Sequence, residues 1–412
     1  MYNNMIQRID EYRNWVIEIL KDMVSIPTIN PPGSNYKDFV EYISRILSDI
    51  GMNVEVYEVP KEIVAKYYPE YVDYPRYIVI GRAGKDRPVI HFNGHYDVVP
   101  PGSGWSRDPF KPVVEEDKLY GRGATDMKGG IAAFLLASKV FLEAVKEFRG
   151  SIEIALVPDE EIGGATGTGY MIETGISRPD YVIIAEPSGM EHLWIGHKGA
   201  LWGYIEVYGK QAHGSTPWLG MNAFEYMAKI VLEFLNEYKP FIESKVSKYD
   251  YGDPQGNKPT ITIGGEVKGG AKINIVPGYY AFSIDRRIIV EESIEEVEKE
   301  LNEFIDRLRK RFPEVRIEFK IFSKLSPAFT DPKSRLVQIA IESIEEVYGK
   351  KPKPIICIGG LDLHYYTDKG IETISYGPGP EERAHMADEY VHISEVLNVA
   401  KAYVRILSKV LL

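Results

Sequence analysis

Apolar positions in the first 200 residues recur with two periods. Over residues 6–24, Ile6, Ile9, Trp15, Val16, Ile19 and Leu20 fall at helical intervals, and the prolines of "IPTINPPG" end the run. Phe39, Val40, Ile43, Ile46, Leu47 and Ile50 predict a second amphipathic helix, stopped by Gly51. Strand-like runs follow at "NVEVYEV", "RYIVIGR" and "PVIHFNG", then a helix over 128–148 and strands at "SIEIALV" and "YVIIA". The strands are apolar throughout, which predicts an α/β layer whose sheet is covered on both faces.

From about Lys198 the texture changes. "ALWGYIEVYG" alternates, a helix over 221–239 follows, then "PTITIGG", "YYAFSIDRR", a helix over 293–311 and "VRIEFKIF". That order is β-α-β-β-α-β, the ferredoxin-like split unit. After "SPAFTDP" the first texture resumes with a helix over 333–348, strands at "PIICIGG" and "ETISYGP", and a closing helix over 393–410. The economical reading is one discontinuous domain, residues 1–197 and 321–412, interrupted by an inserted domain over 198–320.

Composition narrows the chemistry. The 412 residues are 44% hydrophobic, enough for two domains with real cores, and carry a net charge of -11. That balance argues against a nucleic-acid partner, which normally requires a basic face. The lone Cys357 rules out an intrachain disulfide and a cysteine-rich zinc site, so any metal must be held by His, Asp and Glu. No stretch approaches the roughly 20 apolar residues that cross a bilayer, and Met1 to Asp10 lacks a signal-peptide pattern. A soluble cytoplasmic protein without a membrane partner is expected. Scarce glutamine beside plentiful Lys, Glu and Tyr leans towards a thermophile.

The stretch "VIHFNGHYDVVPPGSGW" closes an apolar strand on His95 and Asp97, which at i and i+2 face one side. A shared metal ion or simple turn geometry would each account for the pair. Four more segments carry such residues at strand ends or in Gly-rich loops. They hold Asp126 in "GRGATDMKGG", Asp159, Glu160 and Glu161 in "PDEEIGG", Glu186 in "AEPSG", and His385 in "AHMADE". Loops beyond the carboxyl ends of α/β strands form the ligand crevice, so five of them could build one site of carboxylates and two histidines. Singly, Asp126 could cap a helix starting near Met127, and Glu160 and Glu161 could be a solvated pair.

In order, GHYDVVP, GRGATDMKGG, DEEIGG, AEPSG and AHMADE closely resemble the di-zinc amidohydrolase and peptidase family of acetylornithine deacetylase, succinyl-diaminopimelate desuccinylase, aminoacylase and glutamate carboxypeptidase. The resemblance covers nearly the whole chain. It implies a catalytic domain with a mixed, mostly parallel sheet flanked by helices, and an insert serving as lid and dimerisation domain. It also implies two divalent metal ions, zinc first, with cobalt or manganese as alternatives. His95 and Glu186 would hold one metal, Glu161 and His385 the other, with Asp126 bridging. Asp97 would orient His95 through its second ring nitrogen, and Glu160 would be the general base. A cis peptide is expected at Asp126–Met127. His213, in "YGKQAHGSTPWLG", would be the lid histidine that stabilises the oxyanion, often supplied by the partner subunit; its plainer reading is a cap on helix 221–239. Asn274 in "INIVPG" and Arg287 in "SIDRRII" would hold substrate, leaving Arg286 to face solvent.

The loop "CIGGLDLHYYTDKG" is the expected substrate-facing Gly-Gly segment, with Gly360 as a contact, but it departs from the pattern. Leu361 and His364 stand where relatives carry a hydroxyl residue and an arginine, which weakens a desuccinylase reading. His364 also reads as a plain helix-start histidine. His91, inside an apolar strand, reads as a core residue, and His192, His197 and His392 receive no role. "GGATGTG" (163–169) reads as a flexible wall beside the metals, and Trp105 and Trp218 as core or rim. The expected activity is hydrolysis of an amide next to a free carboxylate, as an N-acyl amino acid deacylase. A dipeptidase or carboxypeptidase is the alternative, and an inactive binding relative the reading from another class. The partners expected are a small N-acyl amino acid or dipeptide and a second copy of the chain.

Overall fold

A computed structural model describes residues 2–412 and forms two compact units. One comprises the chain up to Ile195, Thr330–Ile355 and Leu361–Leu412; the other comprises Gly196–Phe329 and Ile356–Gly360. The expected boundary after residue 320 falls inside the strand Arg316–Leu325, whose pairing carries the insert further along the chain.

In the first unit the strands lie in the order Asn53–Glu58, Tyr77–Gly84, Ser151–Val157, Val89–His95, Tyr181–Ile184, Glu372–Ser375 and His192–His197. The four from Ser151–Val157 to Glu372–Ser375 run parallel, and the outer ones pair antiparallel. The central strands are buried along nearly their whole length, with polar His91, Asn93 and Glu153 among their apolar residues. Gly129–Ala144 is buried almost all round and packs on Ile393–Leu411, which in turn packs on Arg335–Tyr348. Gly130 lets the first turn of the Gly129–Ala144 helix lie against the end of the Tyr181–Ile184 strand, since a Cβ there would lie 2.0 Å from the Ala185 carbonyl oxygen.

The expected helix over 6–24 is two helices, Tyr2–Glu11 and Arg13–Ser25. Tyr12 separates them, and its hydroxyl is held by Glu143 at 2.9 Å. Two further elements, the Lys61–Tyr67 helix and a small sheet of Val113–Glu115, Lys118–Tyr120 and Tyr390–His392, are too short to show a period. That small sheet ties the late 385–392 segment to the loop entering the Gly129–Ala144 helix.

The second unit is an antiparallel sheet ordered Thr260–Gly269, Tyr279–Ile288, Gly199–Tyr208, Arg316–Leu325, the split β-α-β topology. Ile205, Phe282 and Ile284 pack against Ile230, Phe234, Leu301 and Phe304 of its helices. Ser293 and Glu296 form a capping box at the start of Ile294–Arg311. The expected helix over 221–239 is Ala223–Glu233, then a widened turn and a short helix Lys239–Glu243. Pro240 explains the widening: it has no N–H, and its ring displaces the carbonyl one turn back.

Arg286, expected to face solvent, is fully buried. It shares a strand face with Ile284 and Ile288, which point into the core. Its guanidinium donates to Glu292 at 2.6 Å. Arg287, on the opposite face, is half-buried and paired with Asp285 at 2.9 Å.

Candidate metal centre

His95 ends the Val89–His95 strand. Glu160 and Glu161 follow Ser151–Val157, Glu186 follows Tyr181–Ile184, and His385 lies in the loop after Glu372–Ser375. Asp126 sits in the turn before the Gly129–Ala144 helix. Four adjacent parallel strands thus deliver their carboxyl-end loops to one place. Asp126 does not cap the helix. Its Oδ1 lies 3.0 Å from His95 Nε2, and its Oδ2 lies 3.3 Å from His385 Nε2. Glu186 Oε1 is 3.5 Å from His95 Nε2, and Glu161 Oε2 is 3.1 Å from His385 Nε2. Two triads result, His95–Asp126–Glu186 and Asp126–Glu161–His385, sharing one carboxylate. The Asp126–Met127 peptide is cis.

The electrostatics and the donor chemistry both fit divalent cations. Glu186 Oε1 is buried with no hydrogen-bond partner, an orphaned acceptor facing the shared position. Burial and the Asp126 charge raise the Glu161 carboxyl. Burial also raises Glu186, with Asp126 adding to it against the His95 charge. For His95, burial opposes protonation, but Glu186 and Asp126 outweigh it and raise the imidazole well above its ordinary value. Hydrogen bonds to Asp126 and Glu161 raise His385 to about 10. Mixed imidazole and carboxylate donors of this kind suit zinc, cobalt or manganese.

Residues 91–409 match peptidase family M20/M25/M40. The chain belongs to this family. It is an M20 metallohydrolase. An uncharacterized metallohydrolase of Methanocaldococcus jannaschii is 29% identical over 95% of this chain and 98% of its own length. A succinyl-diaminopimelate desuccinylase of a Nitratiruptor species is 28% identical over 88% of this chain and 91% of its own. Among solved structures, an M20 metallo-carboxypeptidase of Sulfolobus solfataricus is similar with a TM-score of 0.73 at 22% identity, covering 95% of this chain and 98% of that one. A dinuclear metal-binding M20 peptidase of Bacillus subtilis is similar with a TM-score of 0.69 at 17% identity, covering 97% and 98%.

Behind the triads of this M20 metallohydrolase lies a fully buried support. His95 Nδ1 is 3.0 Å from the Asp97 backbone carbonyl and 3.5 Å from the Asp97 carboxylate, so the nearer acceptor is the carbonyl. The Asp97 carboxylate instead receives the backbone N–H groups of Glu160 at 3.3 Å and Glu161 at 3.2 Å, and the Asn30 amide at 2.8 Å. Asn30 also donates to Asp159 at 3.0 Å. Asp159 is neutralised by Arg76 at 2.7 Å, a pair with no solvent exposure, and accepts from Tyr36 and Thr166. Asn30, Arg76 and Tyr36 were not legible as site residues, being single polar residues far along the chain from the acidic motifs. The 163–169 wall is packed: Thr166 and Thr168 are buried, Asn93 donates to Thr168 at 3.1 Å, and a Cβ on Gly164 would lie 2.1 Å from Asp362 Oδ1.

The other predicted residues of the M20 metallohydrolase fall elsewhere. His213, Asn274, Arg287 and Gly360 belong to the second unit. His213 is exposed with Nδ1 2.7 Å from Ser215 Oγ, and Asn222, not His213, caps the following helix. Asn274 and Gly360 are exposed. In the first unit His364 is buried, its ring centroid 3.9 Å from that of Tyr365 and tilted to it, and lowered to about 4 by burial, hence neutral. His91 is a satisfied core histidine between Glu153 at 2.7 Å and Tyr366 at 2.9 Å. Trp218 is 75% exposed and so is not a core residue. No helix among the described residues is long and apolar enough to cross a membrane.

Proposed function

We propose that the protein hydrolyses an amide bond adjacent to a free carboxylate, acting as an N-acyl amino acid deacylase. Two divalent cations, zinc first, would be held by His95, Asp126 and Glu186 and by Asp126, Glu161 and His385. The observation that carries this reading is Asp126, whose two oxygens face two different histidines, each with its own glutamate. Cations so placed would polarise the scissile carbonyl and acidify a water molecule.

Glu160 takes the proton of the attacking water and passes it to the departing amine nitrogen, the general base and then the general acid. Asp97 fixes it there through the Glu160 N–H. His213 donates to the developing oxyanion. Arg287 binds the substrate carboxylate in a bidentate fork, and Asn274 and the Gly360 loop complete the substrate contacts. The neutral, buried His364 and apolar Leu361 offer no cation and no hydroxyl for a second carboxylate, which favours acetyl-like or aminoacyl groups over succinyl. On the same observation, dipeptidase or carboxypeptidase activity is the second reading. Exposed Phe224, Leu232 and Leu235 along 223–235 support a homodimer through the second unit, and a single buried cysteine, Cys357, accords with a reducing cytoplasm.

The test is to load the purified protein with zinc, cobalt or manganese and assay N-acetyl amino acids, dipeptides and N-succinyl amino acids. Metal-dependent turnover of the first two classes, abolished in Glu160→Gln without loss of bound metal, is expected. No turnover of any class refutes the proposal, and a preference for succinyl substrates refutes the reading of Leu361 and His364.

A further inference from the structure

Glu389 carries no metal-facing contact, yet its carboxylate is wholly buried beside the site. One oxygen receives the backbone N–H groups of Thr125 at 2.9 Å and of Asp126 at 3.0 Å. The other receives Arg122 Nη1 at 2.5 Å. Arg122, also buried, turns its second nitrogen Nη2 to the backbone carbonyls of His385 and Pro101, each at 3.2 Å. One ion pair therefore spans two loops more than 250 residues apart in the chain, fixing the backbone of Asp126 and of His385 together.

The triads do not depend on this pair equally. His95 stands on a buried strand and Glu186 is buried, so these two members of the first triad are set by the sheet, and only the shared Asp126 leans on Glu389. His385 lies on a loop, its side chain is 52% exposed, and its φ is +63°. Arg122 is its backbone's link to the buried interior. Glu161, the third member of this triad, is anchored separately through Asp97.

We propose that Arg122, held in place by Glu389, is a positioning residue for His385 and so sets the affinity of the second metal position, Asp126–Glu161–His385, more than that of the His95 position. This rests on the ligand assignment proposed above. A lysine at position 122 keeps the charge opposite Glu389 but lacks the fork that reaches two loops at once. Loss of an outer partner of a metal ligand typically weakens metal binding about 10–100-fold.

The experiment titrates metal-free protein with cobalt, following visible absorbance, and counts zinc by elemental analysis after dialysis against graded chelator. In R122K, one equivalent is expected to be held as in the wild type and the other released at about 10–100-fold lower chelator strength, with excess zinc restoring turnover. E389Q, which keeps an acceptor for both N–H groups, is expected to show a smaller selective loss and serves if R122K does not fold. Equal weakening of both equivalents, or wild-type binding of both, overturns the proposal. His385→Ala separates the two levels. If it fails to remove one equivalent, the ligand assignment is wrong; if it removes one while R122K binds both normally, only the positioning role is wrong.

Discussion

Asp97→Asn isolates the support of the catalytic loop with almost no change in volume. Asp97 Oδ2 receives Asn30 at 2.8 Å and the Glu161 N–H at 3.2 Å, whereas Oδ1 receives only the Glu160 N–H at 3.3 Å beside the His95 ring at 3.5 Å. The introduced amide therefore settles with its NH2 group at the Oδ1 position, where it confronts the Glu160 N–H donor. One charge-assisted hydrogen bond is lost, worth about 1.5–3 kcal/mol. If that loss falls on the placement of Glu160 in the transition state, turnover drops about 10–150-fold, at 1.36 kcal/mol per factor of ten. The assay is kcat and KM on the best substrate with saturating zinc, beside urea unfolding of the same variant. Turnover within about threefold of the wild type would refute the argument that Asp97 acts on Glu160. A fall in unfolding free energy with unchanged kcat would show a purely structural role.

Arg76→Met leaves Asp159 as an unpaired buried charge and should cost about 3–5 kcal/mol in urea unfolding. Gly130→Ala drives a methyl into the Ala185 carbonyl beside Glu186, costing about 1–3 kcal/mol and lowering metal retention, both measurable on one preparation. Burial would raise Glu153, but His91, Ser177 and Arg82 hold its carboxyl at about 2, below the ordinary 4.5. Its contribution, about 3 kcal/mol, is complete above pH 4.5 and lost as the pH falls through 2. Glu153→Gln should accordingly flatten the acid limb of a stability–pH curve over that window. Zinc at about 100 times its dissociation constant should add about 2.7 kcal/mol to unfolding, reversed by a chelator; a melting temperature indifferent to both would contradict a folded-state metal site.

The parts of the architecture that could be read in advance were those with a long period or a repeated motif. The apolar strands, the buried Gly129–Ala144 helix and the split β-α-β insert declared themselves through periodicity, and the ligand loops through acids flanked by glycine. Strand parity held the answer for Arg286 as well: two residues from both Ile284 and Ile288, it had to share their inward face. Asn30, Arg76 and the Arg122–Glu389 pair escaped because their partners lie far off in the chain, and a residue's pairing across such distances leaves no local pattern. The break at Tyr12 and the short strands near 113–120 were missed because one or two turns of structure fall below what periodicity resolves.

The order in which the two triads receive their members along the chain has a biosynthetic consequence. His95, Asp126 and Glu186 are synthesised before His385 and Glu389, the last of the three roughly 200 residues earlier. At about 5–20 residues per second, a ribosome needs some ten to forty seconds to cover that interval. A nascent chain that stops short of His385 therefore carries every member of the first triad but cannot complete the second.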